Sequence, residues 1–198
     1  MKRFILVMLV LSISAFAKDP QVETLEAFKK RTCTRPSPIP GTAFRSWNVQ
    51  SGPQYYVAFP ATEEMGRAGA SEIPPVWIGP QEAEIAIAFS VLSNERIKKL
   101  STLDCASIGN FLWKTKCEGG KCKFTEEKIV VSDGREFKQY RTTIKANGVP
   151  TATYYQCSIG QNSTVSVLAA FNKPHGPFRR LEDLGKVLSN IYISQAKE

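Results

Sequence analysis

Three kinds of hydrophobic pattern follow one another along the chain. Residues 4–13 are apolar except for Ser12, follow Lys2 and Arg3, and give way to Ala15, Phe16 and Ala17. A short positive head, an apolar stretch and small residues two apart are the three regions of a secretory signal, with cleavage expected after Ala17. The stretch falls short of the ~20 apolar residues of a membrane-crossing helix. Segment 1–17 is therefore expected to be removed, leaving residues 18–198 as one globular domain.

Helical spacing comes next. Asp19 followed by Pro20 predicts a helix start, with Val22, Leu25, Ala27 and Phe28 on one side and Lys29, Lys30 and Arg31 at the end the helix dipole favours. Pro36, Pro38 and Pro40 then predict an extended connector over residues 34–42. Strands are predicted over 44–49 and 55–59, a long mobile loop over 60–75, and a short strand at 76–78. Residues 84–91 alternate, with Ile85, Ile87, Phe89 and Val91 on one side. Ser93 or Asn94 then caps a helix whose Ile97, Leu100, Leu103, Ile108 and Leu112 fall near one face.

The later half is a regular meander. Strands over 122–131, 136–146, 150–159 and 163–171 are separated by Asp133 with Gly134, by Asn147 with Gly148, and by Gly160, Gln161 and Asn162. A closing helix over 181–193 carries Leu181, Leu184, Leu188 and Ile191 as its apolar stripe. This order predicts an α+β fold. A mainly antiparallel sheet, with a C-terminal four-strand meander, carries packed helices in the manner of an α/β/α sandwich.

The two hairpins at Asp133 with Gly134 and Asn147 with Gly148, the strand Val165, Ser166, Val167, Leu168, Ala169, Ala170, Phe171, and the closing helix resemble the PsbP-like group of α/β/α sandwich proteins. The resemblance covers roughly residues 85–195. It implies a non-enzymatic accessory or binding protein and assigns no residue a role. The five cysteines and the Pro-rich connector are not part of that pattern.

Those cysteines are Cys33, Cys105, Cys117, Cys122 and Cys157, and export makes oxidation their default fate. Gly119 and Gly120 between Cys117 and Cys122 permit a tight turn that sets the two thiols face to face for a disulfide. A C-x4-C pair is also a loose half of a zinc site, but the second half is missing and His175 is the only histidine. The spacing excludes a CxxC redox pair. One further bridge is expected, between Cys33 and Cys105, leaving Cys157 as a small buried hydrophobe in its strand.

The formal net charge is +8, of which Lys2 and Arg3 supply two. The surplus favours an acidic partner, whether an envelope polymer or a protein, without a strong nucleic-acid signal. It concentrates around Cys117 and Cys122, where Lys114, Lys116, Lys121, Lys123 and Lys128 interleave with Trp113 and Phe124. Basic and aromatic residues on one protrusion suit an anion or a sugar chain. The competing reading is a solvated loop whose lysines guard a sheet edge.

G-x-S-x-G, H-E-x-x-H and Walker motifs are absent, and no metal or cofactor is implied. The carboxylates Glu63 with Glu64, Glu82 with Glu84, Glu126 with Glu127, and Glu182 with Asp183 are available for sugar cleavage, but each suits a solvated position. A periplasmic or extracellular binding protein of the envelope is the leading expectation. The alternative is a small exported hydrolase using carboxylates or His175.

Overall fold

The computed structural model describes residues 17–34, 39, 44–51, 54–61, 66–67, 76–78, 86–146, 148–170 and 180–197. Residues 1–16, most of the connector over 34–42, and the side chains of Glu63, Glu64, Glu82, Glu84, Glu126 and His175 lie outside that set.

In chain order the elements are β1 (Gln21–Glu23), α1 (Leu25–Cys33), β2 (Ser46–Ser51), β3 (Tyr55–Ala61), β4 (Gly66–Arg67), β5 (Val76–Ile78), β6 (Ala86–Ser93), α2 (Asn94–Ile97), α3 (Cys105–Trp113), β7 (Thr125–Ser132), β8 (Arg135–Ala146), β9 (Val149–Ile159), β10 (Ser163–Ala170), α4 (Leu181–Leu188) and β11 (Tyr192–Ala196). They form an α+β fold with two sheets among the described residues, ordered β1-β11-β3-β2 and β4-β5-β6-β10-β9-β8-β7. Every pairing of the larger sheet is antiparallel. In the smaller sheet β1 runs parallel to β11.

Strand alternation sorts the core into layers. Phe137, Tyr154, Val165 and Val167 leave one face of the large sheet and pack with Leu184, Val187 and Leu188 of α4 and with Val57, Phe59 and Ile193 of the small sheet. Tyr140, Ile144, Tyr155, Cys157 and Leu168 leave the other face and pack with Cys105 and Ile108 of α3. Phe28 of α1 covers the outer side of the small sheet, against Ala58 and Tyr192. Leu184, Val187 and Leu188 are fully buried, each contributing ~1.5–3 kcal/mol by leaving water. Two buried glutamines hold α4 in place. Gln139 Nε2 donates to Gln156 Oε1 at 2.8 Å, and Gln156 Nε2 donates to the Leu188 carbonyl at 2.9 Å. Gln156 thereby satisfies an orphan carbonyl of the helix end, while Gln139 Oε1 is buried without a hydrogen-bond partner.

Four elements differ from their sequence-based expectation. The first helix begins after Thr24, whose Oγ1 accepts from Ala27 N, while residues 21–23 pair with β11 instead. Asp19 does not cap it. The Asp19 carboxylate accepts from the backbone and side chains of Asn162 and Ser163. The helix expected beyond Ser93 is two helices, because Asp104 caps a new start by accepting from Ser107 N at 2.8 Å. Gly109 of α3 is a close-approach position: a Cβ there would lie 2.5 Å from Phe124 Cζ and 2.9 Å from Tyr155 Cε1. Within the segment expected to be loop, Gly66–Arg67 pairs with β5.

The closing helix stops at Leu188. Ser189 Oγ and Asn190 Nδ2 bond back to the carbonyls of Gly185 and Lys186. The chain then enters β11, with Tyr192 and Ile193 facing opposite layers.

Cysteine pairing also differs from its expectation. The disulfides are Cys105–Cys157, with Cα atoms 5.7 Å apart, and Cys117–Cys122, with Cα atoms 5.0 Å apart. Cys33 is free and exposed. The expected bridge between Cys33 and Cys105 is ruled out by the layering. Cys33 ends α1 on the outside of the small sheet, whereas Cys105 begins α3 on the far face of the large one. Cys157 is buried as expected, but bonded.

Candidate functional site: a basic groove beside a stapled loop

The loop starts where α3 runs out at Trp113. Two 3-10 turns follow, Lys114–Lys116 and Glu118–Gly120, in place of the expected β-hairpin. Gly119 and Gly120 have φ of 61° and 70°, a region open to glycine at little steric expense. Asn110 ties the loop to its helix. Its Oδ1 accepts from Cys122 N at 2.7 Å while its Nδ2 donates to the Ala106 carbonyl at 3.1 Å. The Cys117–Cys122 disulfide faces inward and both cysteines are buried against the core under α3.

Anchored this way, the loop turns its charges outward. Lys114, Lys116, Lys121 and Lys123 are all exposed. Lys121 and Lys123 line a groove of about 580 Å³, joined by Thr125 of β7 and by Arg141, Thr143 and Lys145 of β8. That volume falls within the ~300–1,000 Å³ of ordinary ligand clefts. A β-bulge between Thr125 and Lys128 shifts the start of β7 against β8 at the mouth of the groove. Pro150 and Ala152 of β9 and Leu181 of α4 supply part of the wall.

Four cations therefore converge on one cleft, opposed by two carboxylates. Arg141 Nη2 lies 2.8 Å from Glu182 Oε1, and its guanidinium sits 5.6 Å from the centroid of the Tyr154 ring. Lys145 Nζ is 3.8 Å from Glu118 Oε1. Among the described residues, Lys121 and Lys123 have no carboxylate partner. These ion pairs are solvent-exposed and weak, so an incoming polyanion can displace them.

The expected site residues divide three ways. Lys121 and Lys123 line the groove. Lys114 and Lys116 belong to the same loop but do not line it. Trp113 is buried in the core under the loop, so it is not an exposed stacking platform. Phe124 likewise packs inward, 5.0 Å from Tyr155 and 5.6 Å from Tyr140 between ring centroids. Burial, with the Glu127 and Asp104 carboxylates nearby and a hydrogen bond to Glu127, pushes the Tyr140 hydroxyl up to about 12. Burial raises Tyr155 as well.

The carboxylate pair at the start of α4 has structural work. Asp183 Oδ2 accepts from Arg180 N at 3.0 Å as part of the helix cap, and Glu182 holds Arg141. Among the described residues, no group of three His, Cys, Asp or Glu side chains could hold a metal ion.

Arg141, Lys145, Thr125 and Thr143 were not singled out from the sequence. Their signal lay in a basic residue at each end of Arg141, Thr142, Thr143, Ile144, Lys145, and it gains meaning only once the loop is folded over the same strand.

No family model matches the chain. No curated protein matches it in sequence. Among solved structures it is similar to the cyanobacterial PsbP (CyanoP) of Synechocystis sp. PCC 6803, with a TM-score of 0.47 and 12% identity over 78% of this chain and 95% of that one. It is also similar to LpqN, a protein involved in cell envelope biogenesis of Mycobacterium tuberculosis, with a TM-score of 0.45 and 12% identity over 89% of this chain and 99% of that one.

Proposed function

We propose that the protein is exported, with residues 1–17 removed, and serves as a non-enzymatic binding or accessory protein of the cell envelope whose basic groove takes an acidic polymer. The observation that carries this reading is the groove itself. Lys121, Lys123, Arg141 and Lys145 line one cleft with a surplus of positive charge, and two of the four lack any described carboxylate partner. Closely spaced, exposed cations favour a flexible chain of repeated negative charge, because each added contact is intramolecular once the first has formed.

Export is supported by the head, apolar stretch and small residues of segment 1–17 and by the two disulfides. Among the described residues, no helix is long and apolar enough to cross a membrane.

The test is a titration of the purified protein with polyphosphate and with poly-glutamate at low and at high salt. Binding at low salt that weakens as the Debye length shrinks below ~10 Å supports the reading. Absence of binding to both polymers at low salt removes it.

A further inference from the structure

The groove leaves part of the basic loop unused. Lys114 and Lys116 are exposed where α3 ends, and they do not line the groove. They stand beside the outward side of α3 itself. Cys105, Ile108, Gly109 and Trp113 of this helix are buried on the side that packs on the large sheet. At 3.6 residues per turn, that arrangement turns Phe111 away from the sheet, and Phe111 is 51% exposed. Leu103, just ahead of the Asp104 cap, is 42% exposed. Ile97 and Leu100 belong to the same packed layer as Cys105 and Ile108, so the turn between them borders α3. That turn carries Lys98 and Lys99, both exposed.

A lone exposed apolar side chain is ordinary on a protein surface. Here two of them stand with four exposed lysines, and the neighbouring carboxylates are already engaged. Glu95 Oε1 lies 3.5 Å from Lys98 Nζ. Asp104 caps α3, accepting from Ser107 N at 2.8 Å and Ser107 Oγ at 2.9 Å. Glu118 Oε1 lies 3.8 Å from Lys145 Nζ, toward the groove. Among the described residues, no carboxylate pairs with Lys99, Lys114 or Lys116. We propose that this face of α3 docks on the surface of an anionic lipid bilayer. Phe111 and Leu103 enter the headgroup boundary, and Lys98, Lys99, Lys114 and Lys116 meet the lipid phosphates. The sign of the charge selects an anionic surface. Exposed apolar residues flanked by lysines are the combination that lets a peripheral protein lie on a membrane. The outward side of a helix also suits a flat partner, as the groove suits a threaded one. None of these six residues lines the groove, so the docking face does not depend on polymer binding.

Co-sedimentation with vesicles tests the face. The probes are vesicles of phosphatidylglycerol and phosphatidylcholine in equal parts, and vesicles of phosphatidylcholine alone. Wild type is expected to bind the mixed vesicles at low salt and the neutral ones far less. Phe111→Ala should weaken binding about tenfold by removing the apolar contact. Lys114→Gln with Lys116→Gln should weaken it about fivefold for each charge removed. Phe111 is exposed, so Phe111→Ala should fold as wild type does and keep its affinity for polyphosphate.

Phe111→Trp keeps a ring at the same place and reports its depth. Brominated lipid in the mixed vesicles should quench its fluorescence beyond the quenching seen in wild type. Failure of wild type to bind the mixed vesicles overturns the proposal and leaves the face to a protein partner. Vesicle binding undiminished in Phe111→Ala, or no added quenching in Phe111→Trp, overturns it too, because charge elsewhere on the molecule would then hold the bilayer.

Discussion

Strand β8 carries cations at both ends, and the two ends solve opposite problems. At Arg141 and Lys145 the charges face solvent, share weak ion pairs and line an open groove. At Arg135 the charge is buried, its neighbouring carboxylates are held by Asn162, Ser163 and Arg31, and the adjoining cavity is small. Charge alone does not define a site. Solvation does: the exposed end suits a long polyanion held by many weak contacts, whereas the buried end has only the nearby charges of Asp19 and Asp133.

The two ends also rest on different supports, so they can be disabled separately. Replacing Cys105 and Cys157 together by Ser opens a link between residues 52 apart in sequence and joining α3 to β9. In the chain-entropy picture this costs about 4 kcal/mol, and it should lower the stability of the whole chain in denaturant titrations. Replacing Cys117 and Cys122 by Ser opens a link between residues only 5 apart, at about 2 kcal/mol. Its expected signature is local: weaker polymer binding at the groove with most of the stability of the chain kept. Equal loss of stability in the two variants would contradict the separation.

Arg31→Gln acts at the other end. Arg31 bonds Asp133, Glu23 and Ser194 and is partly buried. Its loss should cost about 1–2 kcal/mol. Arg31 touches none of the groove residues, so polymer binding should stay unchanged.

The smallest expected effect is alkaline. Tyr140, in the core against α3, is pushed by burial from 10.0 up to about 12. Between those values the unfolded chain loses a proton that the folded chain keeps. The Tyr140 contribution to stability is therefore complete below pH 10.0 and is lost as pH rises toward about 12. Tyr140→Phe should flatten that fall in denaturant titrations across the same window.

Local chemistry made much of the large sheet legible. Asp133 with Gly134 marked a turn between strands, and the alternation of Ile87 and Phe89 placed them on the core face of β6. The closing segment reads as one helix because Leu181, Leu184, Leu188 and Ile191 keep helical spacing past the true helix end at Leu188. Ile191 and Ile193 fit a strand equally well, and the choice rests with β1 and β3, which are distant in sequence and offer β11 its backbone partners.

Cysteine connectivity was hidden for a related reason. Cys33 and Cys105 have similar surroundings in sequence but lie in layers separated by both sheets. Lys121 and Lys123 were legible as a basic cluster, whereas Arg141 and Lys145 joined them only through the fold. Arg135 carried no sequence signal, since its burial depends on Asp19, Asp133 and the small sheet coming together around the start of β8.

The most direct measurement is the affinity of fluorescently labelled polyphosphate for wild type and for Lys121→Glu with Lys123→Glu, each followed across a salt series. Both lysines are exposed and unpaired among the described residues, so the variant should fold with unchanged stability. It is expected to bind at least about tenfold more weakly at low salt, equivalent to ~1.4 kcal/mol, and with a shallower dependence on salt. Equal affinity and equal salt dependence in the two proteins would contradict the groove as the binding site.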